Sequence, residues 1–171
     1  MASIEFMIKQ FLSEDKRKLD LTNMNIGDKG VAQLVQSKRL QKLRRLALPN
    51  NNIGDEGAIE IANSEVLKNL TELELYNNVI GDEGVSAIAN SPHLIKLKTL
   101  GLYGNLVEDE GAMALADSTH LPKLARLYLT ANRIRKAGIE ALKKAKSRTR
   151  LCFLHVDDIE EFTYEPNFDD D

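Results

Sequence analysis

Several residue types are scarce in this chain of 171 residues, and each scarcity excludes a class of protein. A single cysteine, Cys152, excludes an internal disulfide, so we expect a reducing compartment, the cytoplasm. No apolar run approaches the roughly 18 residues of a membrane span, and none is expected. Residues 1–18 lack a basic segment followed by an apolar one, so no signal peptide is expected either.

Charge is unevenly distributed, although the net charge is only −3. Residues 157–171 contain eight acidic residues and no basic one, so residues 1–156 together carry +5. Basic residues concentrate between Arg133 and Arg150, where eight of them accompany a single acid, Glu140. This asymmetry favours docking of the tail or steering of a partner. We expect the tail to be a cap on the last repeat, a linear motif or a secretion signal, and the sequence leaves these alternatives open.

A repeat of 27 residues dominates the chain, and such a period is typical of solenoids. The pattern Leu-x-Leu begins at Leu19, Leu46, Leu73, Leu100 and Leu127, with a weaker sixth copy at Leu154. Each copy predicts a short strand with both leucines facing the core and the residue between them facing outward. One asparagine recurs in the same register, at Asn51, Asn78, Asn105 and Asn132. We predict that it turns inward and satisfies backbone groups at the bend.

A helix is predicted after each bend. In residues 54–57, Gly-Asp-Glu-Gly, the aspartate is predicted to cap the helix start and both acids to favour its positive end. Gly57 is predicted to let helix and strand approach closely. Ala58, Ile61 and Ala62 predict the inward stripe of that helix. In the fifth copy residues 135–138 read Arg-Lys-Ala-Gly, so we expect that helix to lack this local stabilisation.

The strand, bend and helix together resemble a leucine-rich repeat. Residues 43–58 contain L-x-x-L-x-L-x-x-N-x-I followed by G-D-E-G-A, a pattern similar to the ribonuclease-inhibitor-like class and, in its Ile-Gly-Asp-Glu-Gly copies, to bacterial members of that class. The resemblance implies an α/β leucine-rich-repeat solenoid, a curved horseshoe with six short parallel strands on the concave side and helices on the convex side. We expect a capping helix in residues 1–15, repeats of 27 residues in 16–156, and an acidic cap or tail in 157–171.

The concave face is predicted to bind the partner, because its outward strand positions have no packing role. Tyr76 and Tyr103 are expected side by side on neighbouring strands about 4.8 Å apart, with Tyr128 diagonally beyond them. Exposed tyrosines of this kind are enriched at binding hot spots. The predicted partner-binding residues are Tyr76, Tyr103, Tyr128, Glu74, Arg44, Arg45, Asp20 and His155.

We therefore predict a non-enzymatic protein–protein interaction module that binds an unidentified protein partner through its concave face. No metal-ligand, phosphate-loop or catalytic motif occurs, so no catalytic residue, cofactor or metal is predicted. Neither nucleic acid nor membrane is an expected partner, and a monomer is expected. Two alternatives stay open: a structural scaffold, and regulation of a small GTPase, since Ran GTPase-activating proteins resemble this repeat class. The acidic tail is similar to translocation signals of type IV bacterial effectors, which would place the protein in a host cell.

Overall fold

The computed structural model describes residues 3–146, 150–151 and 153–157, and within these residues six α-helices and six strands alternate. The helices are α1 (Ile4–Phe11), α2 (Gly27–Leu34), α3 (Asp55–Asn63), α4 (Asp82–Ala89), α5 (Asp109–Asp117) and α6 (Lys136–Lys146). The strands are β1 (Lys18–Asp20), β2 (Arg45–Ala47), β3 (Glu72–Glu74), β4 (Thr99–Gly101), β5 (Arg126–Tyr128) and β6 (Phe153–His155). Short 3₁₀ helices, Lys38–Leu40 and Glu65–Leu67, follow α2 and α3.

The strands form one parallel sheet in chain order, β1 to β6. Leu46 pairs with Leu19 on one side and with Leu73 on the other, and the register continues unchanged to β6. Each strand reaches the next through a helix, since parallel pairing requires a crossover connection. The helices therefore form a second row behind the sheet. The predicted α/β solenoid of six short parallel strands is confirmed.

The core lies between the sheet and the row of helices. Leu46, Leu73 and Leu100 are fully buried, and so are the leucines two residues later, which directly follow the ends of the strands. From the helix side, the predicted inward stripe of Ala58 and Ile61 is fully buried as well. At the amino-terminal end, α1 covers the first repeat with Ile4, Met7 and Ile8, all buried.

A ladder of asparagines joins each repeat to the one before it. The side-chain oxygen of Asn78 accepts hydrogen bonds from the backbone N–H groups of Asn51 and Ile53, both at 3.0 Å. Its amide nitrogen donates to the backbone carbonyls of Leu48, Leu75 and Tyr76, at 3.0, 3.0 and 3.2 Å. The predicted role of the asparagine column is confirmed, because these side chains satisfy backbone groups that the strands leave unpaired.

The aspartates form a second ladder, but each caps the helix of the next repeat. Asp55 Oδ1 accepts hydrogen bonds from the backbone N–H groups of Gly81 and Gly84, at 2.7 and 2.9 Å, where α4 begins. The prediction that the aspartate caps its own helix was wrong, because stacking brings the next helix start within reach of its carboxylate. A Cβ on Gly84 would lie 2.6 Å from Asp55 Oδ1. This glycine therefore accommodates the neighbouring repeat, and not the strand of its own repeat.

The last helix is capped by the same ladder. The backbone N–H groups of Arg135 and Gly138 donate to Asp109 Oδ1, at 2.8 and 2.9 Å. The expectation that α6 lacks local stabilisation was therefore wrong: its cap comes from the preceding repeat. Lys136 occupies the place of the aspartate that would cap a further helix.

The predictions for the acidic tail concern residues outside the described part of the chain, apart from Asp157. Its carboxylate accepts a hydrogen bond of 2.8 Å from the backbone N–H of Ala131. In earlier repeats the equivalent N–H, that of Asn77 for example, donates to the carbonyl of the next strand. Asp157 thus replaces a backbone carbonyl at the end of the sheet. Within the described ranges, none of the helices is long and apolar enough to cross a membrane.

Candidate functional site

Each strand presents alternate residues to the concave face, which consequently carries three columns of side chains. The first column holds Lys18, Arg45, Glu72, Thr99, Arg126 and Phe153. The second holds Asp20, Ala47, Glu74, Gly101, Tyr128 and His155. The third, two residues further along, holds Thr22, Pro49, Tyr76, Tyr103, Thr130 and Asp157.

Charged side chains occupy the part of the face nearest the amino terminus, which we call the charged half: Lys18, Asp20, Arg45, Glu72 and Glu74. The guanidinium of Arg45 donates to both carboxylate oxygens of Glu74, at 2.9 and 3.2 Å, and lies 3.8 Å from Glu72. Burial raises the pKa of Glu74 despite the opposing effect of Arg45. Burial lowers the pKa of Arg45, but the hydrogen bond and charge of Glu74 outweigh this and raise it above its ordinary value. These charges are largely satisfied within the protein.

Aromatic side chains occupy the other part, the aromatic half: Tyr76, Tyr103, Tyr128, Phe153 and His155. The rings of Tyr103 and Tyr128 each lie 6.5 Å from that of Tyr76, centroid to centroid, at interplanar angles of 77° and 85°. Phe153 lies 5.1 Å from Tyr128. Edge-to-face contacts of this kind are favourable, so the rings are held in a defined arrangement.

Gly101 makes this arrangement possible. Tyr76 and Tyr128 are two strands apart, and the ring of Tyr76 reaches Tyr128 by lying across Gly101 on the strand between them. A Cβ at residue 101 would lie 2.1 Å from Cε1 of Tyr76, which is a severe overlap. Glycine at this position is therefore required by the tyrosine cluster.

The environment of Tyr76 keeps its hydroxyl protonated. Burial, with a further contribution from the charge of Glu74, raises the pKa of Tyr76 to about 12. A phenol with that pKa neither accepts nor releases a proton readily near neutral pH. Tyr76 is therefore suited to hydrogen bonding and ring contacts.

A shallow depression of about 350 Å³ lies against these rings. It is lined by Pro49, Tyr76, Asn77, Tyr103, Tyr128, Thr130 and His155. Its lining contains no carboxylate and no lysine or arginine. At 43% exposure, Tyr103 is the most accessible ring of the tyrosine cluster, while Tyr76 and Tyr128 are half-buried. The expectation that the tyrosines are exposed is confirmed for Tyr103 and was wrong for Tyr76 and Tyr128, because these two pack against each other over Gly101.

The structure brings only some of the predicted site residues together. Tyr76, Tyr103, Tyr128 and His155 line the depression, and Glu74 and Arg45 lie beside it. Asp20 is separate and accepts hydrogen bonds from the backbone N–H and the hydroxyl of Thr22. The side chain of Arg44 is exposed and forms no ion pair with another described residue. Ala47, predicted to be outward, is only 2% exposed.

Sequence reasoning missed the part that three residues play in the arrangement of this face: Glu72, Phe153 and Gly101. Glu72 and Phe153 lie two residues before Glu74 and His155, which were recognised as outward. The alternation of side chains along the strand could therefore have identified them. Arg45 is the first residue of β2 and lies in the first column of the face. The role of Gly101 carries no such signal, since it depends on the conformation of a side chain from another strand. Within the described residues, no cluster of histidine, cysteine and carboxylate side chains could hold a metal ion.

Comparison with known proteins agrees with this geometry. A family model described as leucine-rich repeat matches three segments, residues 39–62, 66–89 and 93–116. The three matched segments are leucine-rich repeats, and the fold around them is the corresponding α/β solenoid. A search of curated proteins finds no match.

Solved structures that share the fold include two that align over most of both chains. The tropomodulin C-terminal domain from Caenorhabditis elegans is 17% identical, with a TM-score of 0.57, covering 86% of this chain and 93% of that one. A leiomodin-1 structure, described as actin-binding site 2, is 17% identical, with a TM-score of 0.53, covering 85% of this chain and 86% of that one. At this level of identity the similarity establishes the fold alone.

Proposed function

We propose that this protein is a non-enzymatic binding module that takes a protein partner on the aromatic half of its concave face. The observation that carries the proposal is the ordered tyrosine cluster beside a depression, with Tyr103 43% exposed at its edge. Ordered aromatic rings lose little conformational entropy on binding and can bury much apolar area, which makes them effective anchors. The solenoid supports this role, because each strand is fixed by its neighbours on both sides.

The chemistry of the face favours binding over catalysis. The half-buried phenol of Tyr76 has a pKa of about 12, far from the range of a general acid or base at neutral pH. Glu74 is held by two hydrogen bonds from Arg45, which leaves it poorly placed to take up a substrate proton. The side chains that line the depression thus offer apolar area and hydrogen-bonding groups.

Affinity capture with matched variants tests this proposal. The intact protein, Tyr103→Ala and Met113→Ala are used as baits under the same conditions. Met113 is the control because it is an apolar side chain of similar exposure, 37%, on helix α5. We expect a partner that the intact protein and Met113→Ala retain and Tyr103→Ala loses. A partner retained equally by all three baits would place the binding site elsewhere.

Actin belongs among the purified candidates, because the leiomodin-1 structure that shares this fold is described as an actin-binding site. Co-sedimentation with filamentous actin decides this directly, with Tyr103→Ala and Met113→Ala as the paired variants. A panel of small GTPases, assayed for GTP hydrolysis, separates the regulatory alternative from simple binding.

The remaining parts of the proposal concern the state and location of the protein. We propose a monomer that acts in a reducing compartment, either the cytoplasm of its own cell or that of a host cell after translocation as an effector. The single cysteine supports the reducing environment. Light scattering of the purified protein tests the monomer, and a translocation reporter fused to the chain tests the effector role.

A further inference from the structure

The lining of the depression restricts the chemistry of its ligand. Its aromatic rings, the Pro49 ring and the Thr130 methyl group provide apolar contacts, and no carboxylate lies among them. The nearest acid, Glu74, is engaged by Arg45 at 2.9 and 3.2 Å. Among the lining residues a cationic group would find no counter-charge. The part of the ligand that enters the depression is therefore best uncharged and ring-bearing.

The hydrogen-bonding groups of the depression further restrict the kind of ligand that it can bind. Four polar side chains line the depression: the hydroxyls of Tyr76, Tyr103 and Tyr128 and the side-chain amide of Asn77. Among the described residues no buried side-chain nitrogen or oxygen lacks a hydrogen-bond partner, so these groups are open to solvent and to a ligand. All four can donate to carbonyl oxygens. The backbone groups of β3 and β4 are already used in the sheet, so a ligand on this face cannot be held by strand addition.

Taken with the proposed function, on which this inference rests, we propose that the aromatic half binds a proline-rich segment of the partner in the polyproline II conformation. Such a segment presents carbonyl oxygens, carries no N–H at its prolines and docks its rings against aromatic side chains. The near-perpendicular rings of Tyr76 and Tyr103 present two aromatic surfaces beside the depression, against which proline rings can pack. The ordered cluster over Gly101 is formed before the ligand arrives.

Arg126 adds a charge requirement to the ligand. It lies two residues before Tyr128 on β5, is exposed, and forms no ion pair with another described residue. On the same face of a strand, two residues span about 6.8 Å. The proline-rich segment therefore carries an acidic residue next to its prolines, within reach of this guanidinium.

A synthetic hexaproline peptide with an aspartate at each end is the probe. Heteronuclear NMR of the intact protein follows its binding, with two control peptides: one has glycine in place of every proline, and the other has lysine in place of both aspartates. We expect shifts confined to the aromatic half with the first peptide, no binding of the glycine peptide, and weaker binding of the lysine peptide. Equal binding of the proline and glycine peptides would overturn the inference, as would shifts confined to the helices.

Two protein variants and their controls test the assigned contacts. Tyr103→Ala is expected to weaken the proline peptide about tenfold, and Arg126→Ala about threefold. The controls are Met113→Ala for the ring and Lys123→Ala for the charge, since Lys123 is an exposed cation in the loop before β5. Retention of full affinity by Tyr103→Ala would contradict the inference.

The two proposals can fail separately. If the proline peptide does not bind while Tyr103→Ala still loses the captured partner, the proposed function stands and the ligand chemistry is wrong. If the proline peptide does not bind and the captured partner is indifferent to Tyr103→Ala, both proposals are refuted.

Discussion

The charged half and the aromatic half of the concave face use their side chains in opposite ways. In the charged half, Arg45 joins Glu74 and approaches Glu72, so opposite charges neutralise one another. In the aromatic half the rings contact one another, yet Tyr103 and Phe153 keep 43% and 44% of their surface exposed. A charged partner would have to break the existing ion pairs of the charged half in order to bind there. The rings of the aromatic half can contact one another edge to face and still expose part of their surface to a partner.

The scaffold beneath the two halves is the same. The leucine columns, the asparagine ladder and the aspartate ladder continue from the second repeat to the fourth. The difference between the halves therefore lies in the outward residues. A repeat protein can change its binding surface at these positions without altering its core, and the following substitutions separate scaffold effects from surface effects.

Leu75→Ala is expected to have the largest effect on stability. Leu75 is fully buried beneath the boundary between the two halves, with complete repeats on either side. Truncation of a buried leucine costs about 2–5 kcal/mol in the free energy of unfolding. Denaturant unfolding measures this cost. A loss below about 1 kcal/mol would mean that the core does not depend on the leucine column.

Asn78→Ala is expected to destabilise by about 1–3 kcal/mol, because it leaves buried backbone groups of two repeats without partners. Asn77→Ala, which the alternation alone predicts to be neutral, is a poor control, since Asn77 has a φ of 51°. Alanine is disfavoured in that left-handed conformation. Asn77→Gly is the matched control and should change stability little. Similar losses from Asn78→Ala and Asn77→Gly would contradict the ladder.

Ala131→Gly is expected to stabilise the protein by about 1 kcal/mol. The left-handed position of the bend is an asparagine in the first three repeats and Gly104 in the fourth. In the fifth it is Ala131, which has a φ of 55°. Glycine removes that strain. Ala137→Gly, at an exposed position in α6, is the control and should destabilise by roughly 0.5–1 kcal/mol. A loss of stability in Ala131→Gly would show that the bend of the fifth repeat is unstrained.

The coupling between Arg45 and Glu74 is expected to be small, about 0–1 kcal/mol, because the Arg45 side chain is 43% exposed. A double-mutant cycle with Arg45→Ala and Glu74→Gln measures it. The cycle with Glu72→Gln is the internal control and should give a smaller value, since that carboxylate lies 3.8 Å from the guanidinium. Raising the salt concentration should reduce both couplings. A larger coupling to Glu72 would show that the charged half is arranged differently.

Tyr76→Phe is expected to leave the stability of the protein unchanged at neutral pH and to alter its pH dependence only in alkaline solution. The folded protein keeps the Tyr76 proton until about pH 12, whereas an unfolded phenol releases it near pH 10. Between these values the folded state binds more protons, so stability falls as pH rises from about 10 through 12. Tyr76→Phe should flatten that part of the pH profile of stability. Superimposable profiles for the variant and the intact protein would contradict the half-buried environment of Tyr76.

Much of the fold was predictable from the sequence, because the repeat encodes contacts that recur. Leu46, Asn51 and Ile61 occupy the places that their spacing predicts. The aspartate was assigned to the wrong helix because its bond joins two repeats: Asp55 lies at the start of one helix and caps the next. A periodic sequence shows that a residue recurs, but it does not show whether its partner lies within its own repeat.

The candidate site was less predictable than the scaffold. Tyr76, Tyr103 and Tyr128 could be placed on one face by alternation, but the contact of Tyr76 with Tyr128 across Gly101 could not. That contact depends on a side-chain conformation and on a residue that lacks a side chain. Arg45 was assigned to binding, although the structure uses it to neutralise Glu74. Whether these residues bind a partner stays a prediction.

The most direct test of the account compares the two halves in one binding experiment. Isothermal titration calorimetry with the captured partner measures the affinity of the intact protein, of Tyr103→Ala for the aromatic half, and of the double variant Lys18→Ala/Asp20→Ala for the charged half. We predict a loss of at least about 2 kcal/mol in binding free energy for Tyr103→Ala and less than about 0.5 kcal/mol for the double variant. The reverse order, with the charged half carrying the larger loss, would contradict the assignment of binding to the aromatic half.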